Sequence, residues 1–192
     1  MRPATFALAF LASVATPLHA QDLVLNGGFD QSLIGWEATG NPDMVAVWNP
    51  EDSNADPQSG SIRITNISPG AGNGVTVTQC VPVNSGQRYT ATGRVRIPSG
   101  AGQDLANAAR IGLRWYDGPD CTTPNGGSVN GNGSPGSFNV WVDQTLTATA
   151  RSGARSVEVR ALLTKYPAGG SFTADFDDLG LTTLSIFQNG FD

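Results

Sequence analysis

The sequence predicts an all-β fold, a two-sheet antiparallel β-sandwich. Three observations carry this. No stretch keeps apolar residues on one helical face for three turns. Short runs of β-branched and aromatic residues alternate with polar ones, most cleanly from Arg88 to Ile97. Between the runs lie turns drawn from 24 glycines and 12 prolines, the punctuation of a sandwich or barrel.

Taken in order, Leu23 to Phe29 is the first predicted strand, and Asn26-Gly27-Gly28 interrupts it with a bulge or a positive φ. Met44 to Trp48 is a short strand, and Pro50 to Gly60 is an acidic loop holding Glu51, Asp52 and Asp56. Ser61 to Asn66 sets Ile62 and Ile64 against Arg63 and Thr65. Gly74 to Val83 sets Val75, Val77 and Gln79 against Thr76, Thr78 and Cys80. From Arg88 to Ile97, Tyr89, Ala91, Gly93, Val95 and Ile97 share the core face, with Arg94 and Arg96 on the other. Pro98 to Ala109 is a connection with room for a helical turn at Asp104 to Ala108. Arg110 to Tyr116 points Ile111, Leu113 and Trp115 inward, and Arg110, Arg114 and Tyr116 outward. Asp117 to Ser137, rich in Gly, Asn, Pro and Ser, reads as a surface loop tied down by Cys121. Phe138 to Thr149 is a strand or pair of strands, and Ser156 to Thr164 turns Glu158 and Arg160 outward. Phe172 to Leu181 is the last strand and the natural partner of the first.

The chain has 192 residues and a net charge of −5. Residues 1–20 read as a signal peptide: Arg2, an apolar run from Ala4 to Val14, and a small-residue cleavage site at Ala20. The run is too short for a spanning helix, which needs about 20 residues. The one histidine, His19, falls in that segment, so the remaining chain is barred from His-based triads and His-ligated metal sites. An acidic chain with scattered arginines does not fit a nucleic-acid binder. Cys80 and Cys121 are the two cysteines. In an exported chain they are expected to pair, closing a loop of about 40 residues for roughly 3–4 kcal/mol. A reactive thiol or a metal site is the alternative.

Alternation places Arg94, Arg96, Arg110, Arg114, Tyr116, Glu158 and Arg160 opposite the core set. If their strands are neighbours, they form one guanidinium-rich surface. Arginine suits bidentate contact with carboxylate or sulfate, and Tyr116 suits stacking on a sugar ring, which together favour an acidic glycan. The alternative is a solvated face whose arginines pair with Glu158, Asp143 and Asp117. Trp36 and Trp115 fall on core positions, Trp48 beside the acidic loop is the best candidate stacking platform, and Trp141 is either a sugar contact or an edge cover. Glycoside hydrolysis would need a carboxylate pair. Only Asp30 with Asp175, Asp177 and Asp178 offers one, so the chain reads as a non-enzyme.

Five motifs occur in order: Asn26-Gly27-Gly28-Phe29-Asp30 followed by Gly35-Trp36; Ser59-Gly60 leading to Ile64; Ser85-Gly86-Gln87-Arg88-Tyr89 leading to Val95; Trp141 before Thr145 to Thr149; and Phe176-Asp177-Asp178-Leu179-Gly180-Leu181. In these the chain resembles carbohydrate-binding modules of the family 4, 9 and 22 type, galactose-binding-like jelly rolls, over nearly all of residues 21–183. Its aromatic stands one place nearer the final acids than in that pattern. The resemblance implies sugar binding and a structural calcium where the first and last strands meet. By position the ligands would be the carbonyls of Gly28 and Gly60, with Asp30 and Asp177 or Asp178. Calcium takes six to eight hard oxygen ligands; otherwise these acids accept backbone hydrogen bonds in turns.

The expectation is therefore an exported bacterial protein, secreted or periplasmic. Residues 21–183 would form a non-catalytic domain for extracellular polysaccharide, with a short tail at 184–192. The rival reading is a surface or matrix scaffold that binds a protein partner on the same fold.

Overall fold

The computed structural model describes residues 21–38, 41–100, 102–132 and 134–183. The expected signal peptide and tail lie outside them. Ten strands occur: β1 (Glu37–Ala38), β2 (Met44–Asn49), β3 (Ser61–Asn66), β4 (Asn73–Pro82), β5 (Arg88–Arg96), β6 (Ala108–Tyr116), β7 (Pro124–Asn130), β8 (Val142–Thr149), β9 (Ser156–Lys165) and β10 (Phe172–Thr183). They form two five-stranded antiparallel sheets. The front sheet has the order β1-β4-β9-β6-β7 and the back sheet β2-β3-β10-β5-β8. This is the predicted sandwich. Among the described residues no helix is long and apolar enough to cross a membrane.

The core lies where alternation placed it. Tyr89, Ala91, Val95 and Ile97 of the β5 region face Ile111, Leu113 and Trp115 of β6, all buried. The rings of Tyr89 and Trp115 meet at 6.1 Å, and those of Phe29 and Trp36 at 5.4 Å. Each fully buried aliphatic or aromatic side chain of this kind contributes about 1.5–3 kcal/mol. Cys80 and Cys121 are joined in a disulfide.

Several sequence expectations need correction. Leu23 to Phe29 lies beside β10 but is not a strand. The Asp22–Thr182 bridge, Leu181 N–H to Asp22 Oδ1 (2.9 Å), Leu23 N–H to Leu181 O (2.8 Å) and Leu179 N–H to Gly27 O (2.9 Å) tie it there. Positive φ at Asn26 and Phe29 kinks it away from a ladder, and the backbone of Leu179 sits so close to Gly27 that no side chain fits there. The predicted loop 117–137 contains β7, whose Gly/Ser/Asn run has no period to read but pairs with the edge of β6. Strand pairing in the 138–149 stretch begins only at Val142, and Asp104 to Ala108 is a hydrogen-bonded turn rather than a helical one.

Lys165 is 1 % exposed. Its ammonium donates to the carbonyls of Ser68, Gly169 (2.7 Å) and Gly170 (3.1 Å), so one buried cation closes two loops.

Candidate functional site

Three arginines share the outer face of the front sheet. The antiparallel registers set side chains in rows across it. One row runs Cys80, Glu158, Arg114, Ser128, and the next Glu37, Thr78, Arg160, Gly112, Asn130; Arg110 stands beside Leu162 beyond them. Successive rows on one face are two residues apart because side chains alternate. Arg114 and Arg160 line a shallow pocket with Gly126, Gly127 and Ser128. At Gly127 the Arg151 side chain occupies the place a Cβ would take.

The charges on this face are unbalanced. Among the described residues, ion pairs form at Arg63, Arg94 and Arg96, and none at Arg110, Arg114 or Arg160. Two acids lie in these rows, the exposed Glu37 at the β1 edge and Glu158, which accepts the Tyr116 hydroxyl. Burial, then this bond, pushes the Tyr116 phenol up to about 12. Burial lowers the Arg160 pKa; Glu158 opposes this, and the neighbouring positive charge of Arg114 adds to it. Arg110 Nε, Arg160 Nε and Asn130 Oδ1 are buried without a hydrogen-bond partner.

Tyr116 is 4 % exposed, so its ring is no open platform; the Arg114 guanidinium covers it at 5.4 Å. One end of the face is walled by residues 117–123. There the Ser156 hydroxyl donates to Gly118 O (2.7 Å) and accepts Cys121 N–H (3.0 Å), and the disulfide fixes the loop over β4.

The other sequence candidates lie elsewhere. Arg94 and Arg96 sit on the back sheet, because β5 and β6 are consecutive in sequence but belong to opposite sheets. The single arginine surface is thus split in two. Arg96 pairs with Asp175 at 2.9 Å and with Glu51, under the ring of Trp141 at 5.3 Å. Arg94 pairs with Asp143 at 2.8 Å and donates to Asn54 Oδ1 at 2.6 Å. Trp48 turns inward from β2, half-buried. Its indole N–H donates to Phe29 O at 2.8 Å, and its ring lies 2.8 Å from where a Cβ on Gly60 would stand. It is packing rather than platform.

The expected calcium positions divide as well. The fully buried Asp177 carboxylate accepts Ser53 N–H (2.8 Å) and Asp178 N–H (2.7 Å). Asp52, which the positional reading missed, meets Asp177 and the Ser59 hydroxyl, and Ser59 in turn donates to Gly28 O. Burial raises the Asp177 pKa to about 6. Burial also pushes Asp52 up, but the N–H groups of Asp56 and Asn54 outweigh it and hold Asp52 below its usual value. Asp178 instead accepts from Ser53 and Asn54 (2.9 Å each), 3.8 Å from Arg94. Asp30 lies with Asp56, Gln31 and Gln58 around a separate hollow. Among the described residues, no three acid, His or Cys side chains stand close enough to form a metal cluster. The set that does converge is all hard oxygen, namely Asp177, Asp52, Ser59 and the Gly28 carbonyl, and in chemistry it fits calcium.

Residues 21–112, just under half of the chain, match the family model described as "Carbohydrate binding domain". No curated protein matches the chain. Among solved structures, tailspike protein 4 of Bacteriophage CBA120 superposes with a TM-score of 0.62 at 14% identity, over 85% of this chain and 21% of that one. The family 22 module of Clostridium thermocellum xylanase 10B, solved with its catalytic module and xylohexaose, gives 0.55 at 11%, over 84% and 28%. TmCBM61 with β-1,4-galactotriose gives 0.53 at 15%, over 86% and 100%. This chain thus spans about a fifth of the first of these proteins and over a quarter of the second. At these identities the likeness establishes the fold: the β-sandwich of carbohydrate-binding modules.

Proposed function

We propose that this chain, which resembles carbohydrate-binding modules of the family 4, 9 and 22 type in sequence over residues 21–112 and in fold throughout the described residues, binds extracellular polysaccharide without turning it over. The ligand is acidic, and it lies on the outer face of the front sheet. One observation carries this: Arg110, Arg114 and Arg160 share a face with no ion-pair partner among the described residues. The chain's net charge is −5, so such a local excess of unpaired cations favours an anionic ligand. Arg114 and Arg160 take the acid groups, and Tyr116 positions Arg114 from below. The disulfide supports an oxidising, extracytoplasmic setting.

Asp177, Asp52, Ser59 and the Gly28 carbonyl hold a structural calcium. When bound, the ion supplies the positive charge that lets two neighbouring carboxylates stay ionised. The residues themselves order the 50–60 loop: Asp177 holds Ser53, and Ser59 reaches Gly28.

The test is a glycan array on residues 21–192, run with calcium and with chelator, and repeated with Arg114→Gln and Arg160→Gln. Retention of acidic glycans that weakens in both variants and at high salt supports the reading. A blank array with the fold intact overturns it in favour of a scaffold that binds a protein partner.

A further inference from the structure

We infer that the glycan taken by this face is a mixed one, in which a sugar bearing an acid group is followed by a sugar bearing none. The acid-free sugar occupies a hollow at the β4 edge, between Leu25 and the Cys80–Cys121 disulfide. This rests on the acidic-glycan reading above and adds the composition of the ligand.

The hollow measures about 490 Å³, and its walls include Leu23, Leu25, Pro82 and the disulfide. It forms because β1 pairs with β4 only at Val77 and Thr78. Beyond Thr78 the edge of β4 meets residues 23–25 instead. The buried Gln79 fixes that wall: its side-chain oxygen accepts Leu25 N–H and its amide donates to Leu25 O, both at 2.7 Å. The opposite wall is the 117–123 loop, held by the disulfide and by Ser156. Both walls are therefore set before a ligand arrives, which cuts the ordering cost of binding. Leu25 remains 72 % exposed in this clamp. An open apolar side chain at a hollow of ligand size suits the C–H face of a sugar ring.

Charge decides which sugar enters. The charged residues lining the hollow are all acids, Glu37, Asp120 and Glu158, and none forms an ion pair among the described residues. The arginines begin on the next strand: Arg160 stands opposite Thr78, which lines the hollow, and Arg114 opposite Glu158. Neighbouring strands are about 4.8 Å apart, inside the screening length of about 8 Å at physiological salt. One face thus carries cations at one end and acids at the other, too close for salt to insulate them. An acid group over Arg114 or Arg160 is attracted. An acid group on the adjoining sugar, over the hollow, meets three carboxylates. The hydroxyls of an acid-free sugar donate to those carboxylates instead. The sign of the charge carries the argument, so it holds equally for a carboxylate and for a sulfate ester.

Calorimetric titration of the disulfide-bonded protein at physiological salt tests this. The mixed probes are hyaluronan, gellan and glucuronoxylan. The homopolyanions are polygalacturonate, alginate and dextran sulfate. Arginines alone would favour the polymers of highest charge density. The acidic hollow reverses that order: at least one mixed polymer should bind about tenfold more tightly than every homopolyanion. Replacing Glu37→Gln together with Asp120→Asn should raise homopolyanion affinity severalfold more than mixed-polymer affinity, so that the ratio narrows. Leu25→Asn should narrow it from the other side, by weakening the mixed polymer. All three residues are exposed, and circular dichroism checks the fold of each variant.

A homopolyanion bound as tightly as every mixed polymer would overturn this inference and leave the acidic-glycan reading standing. So would an equal rise for both classes in the double variant, which is the effect of net charge alone, or an unchanged ratio in Leu25→Asn. Binding of uncharged glycans only, or of no polymer, would overturn both.

Discussion

Asp175 stands directly opposite Arg96 in one ladder and opposite Arg63 in the next, and its carboxylate is fully buried between their guanidiniums at 2.7 to 3.2 Å. The back sheet thus pairs Arg63, Arg94 and Arg96 with acids, while among the described residues no ion pair forms at Arg110, Arg114 or Arg160 of the front sheet.

That contrast gives the first prediction. Asp175→Asn removes a fully buried anion held between two cations. Breaking such a pair by deleting one partner costs about 3–5 kcal/mol. Urea unfolding of the variant should show that loss. Arg114→Gln on the front face should cost under about 1 kcal/mol. Equal costs would mean that the two faces are not electrostatically different.

The second prediction concerns pH. In the calcium-free protein the Asp177 pKa is raised to about 6, above an unfolded value near 3.9. Between those values the folded state binds more protons than the unfolded one, so stability falls as pH rises through the window. Asp52 is shifted the other way, and its contribution is lost only below its unfolded pKa. Melting temperature should therefore decline from about pH 4.5 to pH 6.5 in chelator, more steeply in the wild type than in Asp177→Asn. Calcium should raise the pH 7 value. A wild-type slope identical to the variant's would exclude Asp177 as its source.

A third prediction concerns the wall of the front face. Cys80 and Cys121 are separated by 41 positions, so reduction should cost roughly 3–4 kcal/mol. Because the bridge holds residues 117–123 over β4, reduced protein that remains folded should also bind its glycan more weakly. Unfolding and titration with and without reductant separate the two effects.

A fourth concerns Gly60. A Cβ there would stand 2.5 Å from Asn49 O and 2.8 Å from the Trp48 ring. Gly60→Ala should cost about 1–3 kcal/mol by overpacking and shift Trp48 fluorescence. An unchanged spectrum and midpoint would show that the loop gives way freely.

Much of this was legible in the residues. Alternation alone put Ile111, Leu113 and Trp115 inside and Arg110, Arg114 and Arg160 outside. It could not say which sheet an outward residue belongs to, because periodicity carries facing and not topology, and so Arg94 and Arg96 were grouped with the wrong neighbours. Trp48 failed for a related reason: Val45 and Val47 are apolar too, so both faces of β2 read alike, and the valines are the exposed pair. Motif position pointed to Gly28 and Asp177 as neighbours of the acidic loop, but Asp52 comes to Asp177 through the folding of the 50–60 loop onto β10, which no local pattern records.

Lys165 is the chain's single lysine, and it is spent inside, its ammonium enclosed by three carbonyls. The outer surface of the described domain is consequently free of primary amines. Reagents that couple through amines, whether sensor-chip chemistry, fluorescent esters or aldehyde fixatives, find no side-chain handle on the folded domain. Amine coupling therefore leaves its guanidinium face unblocked.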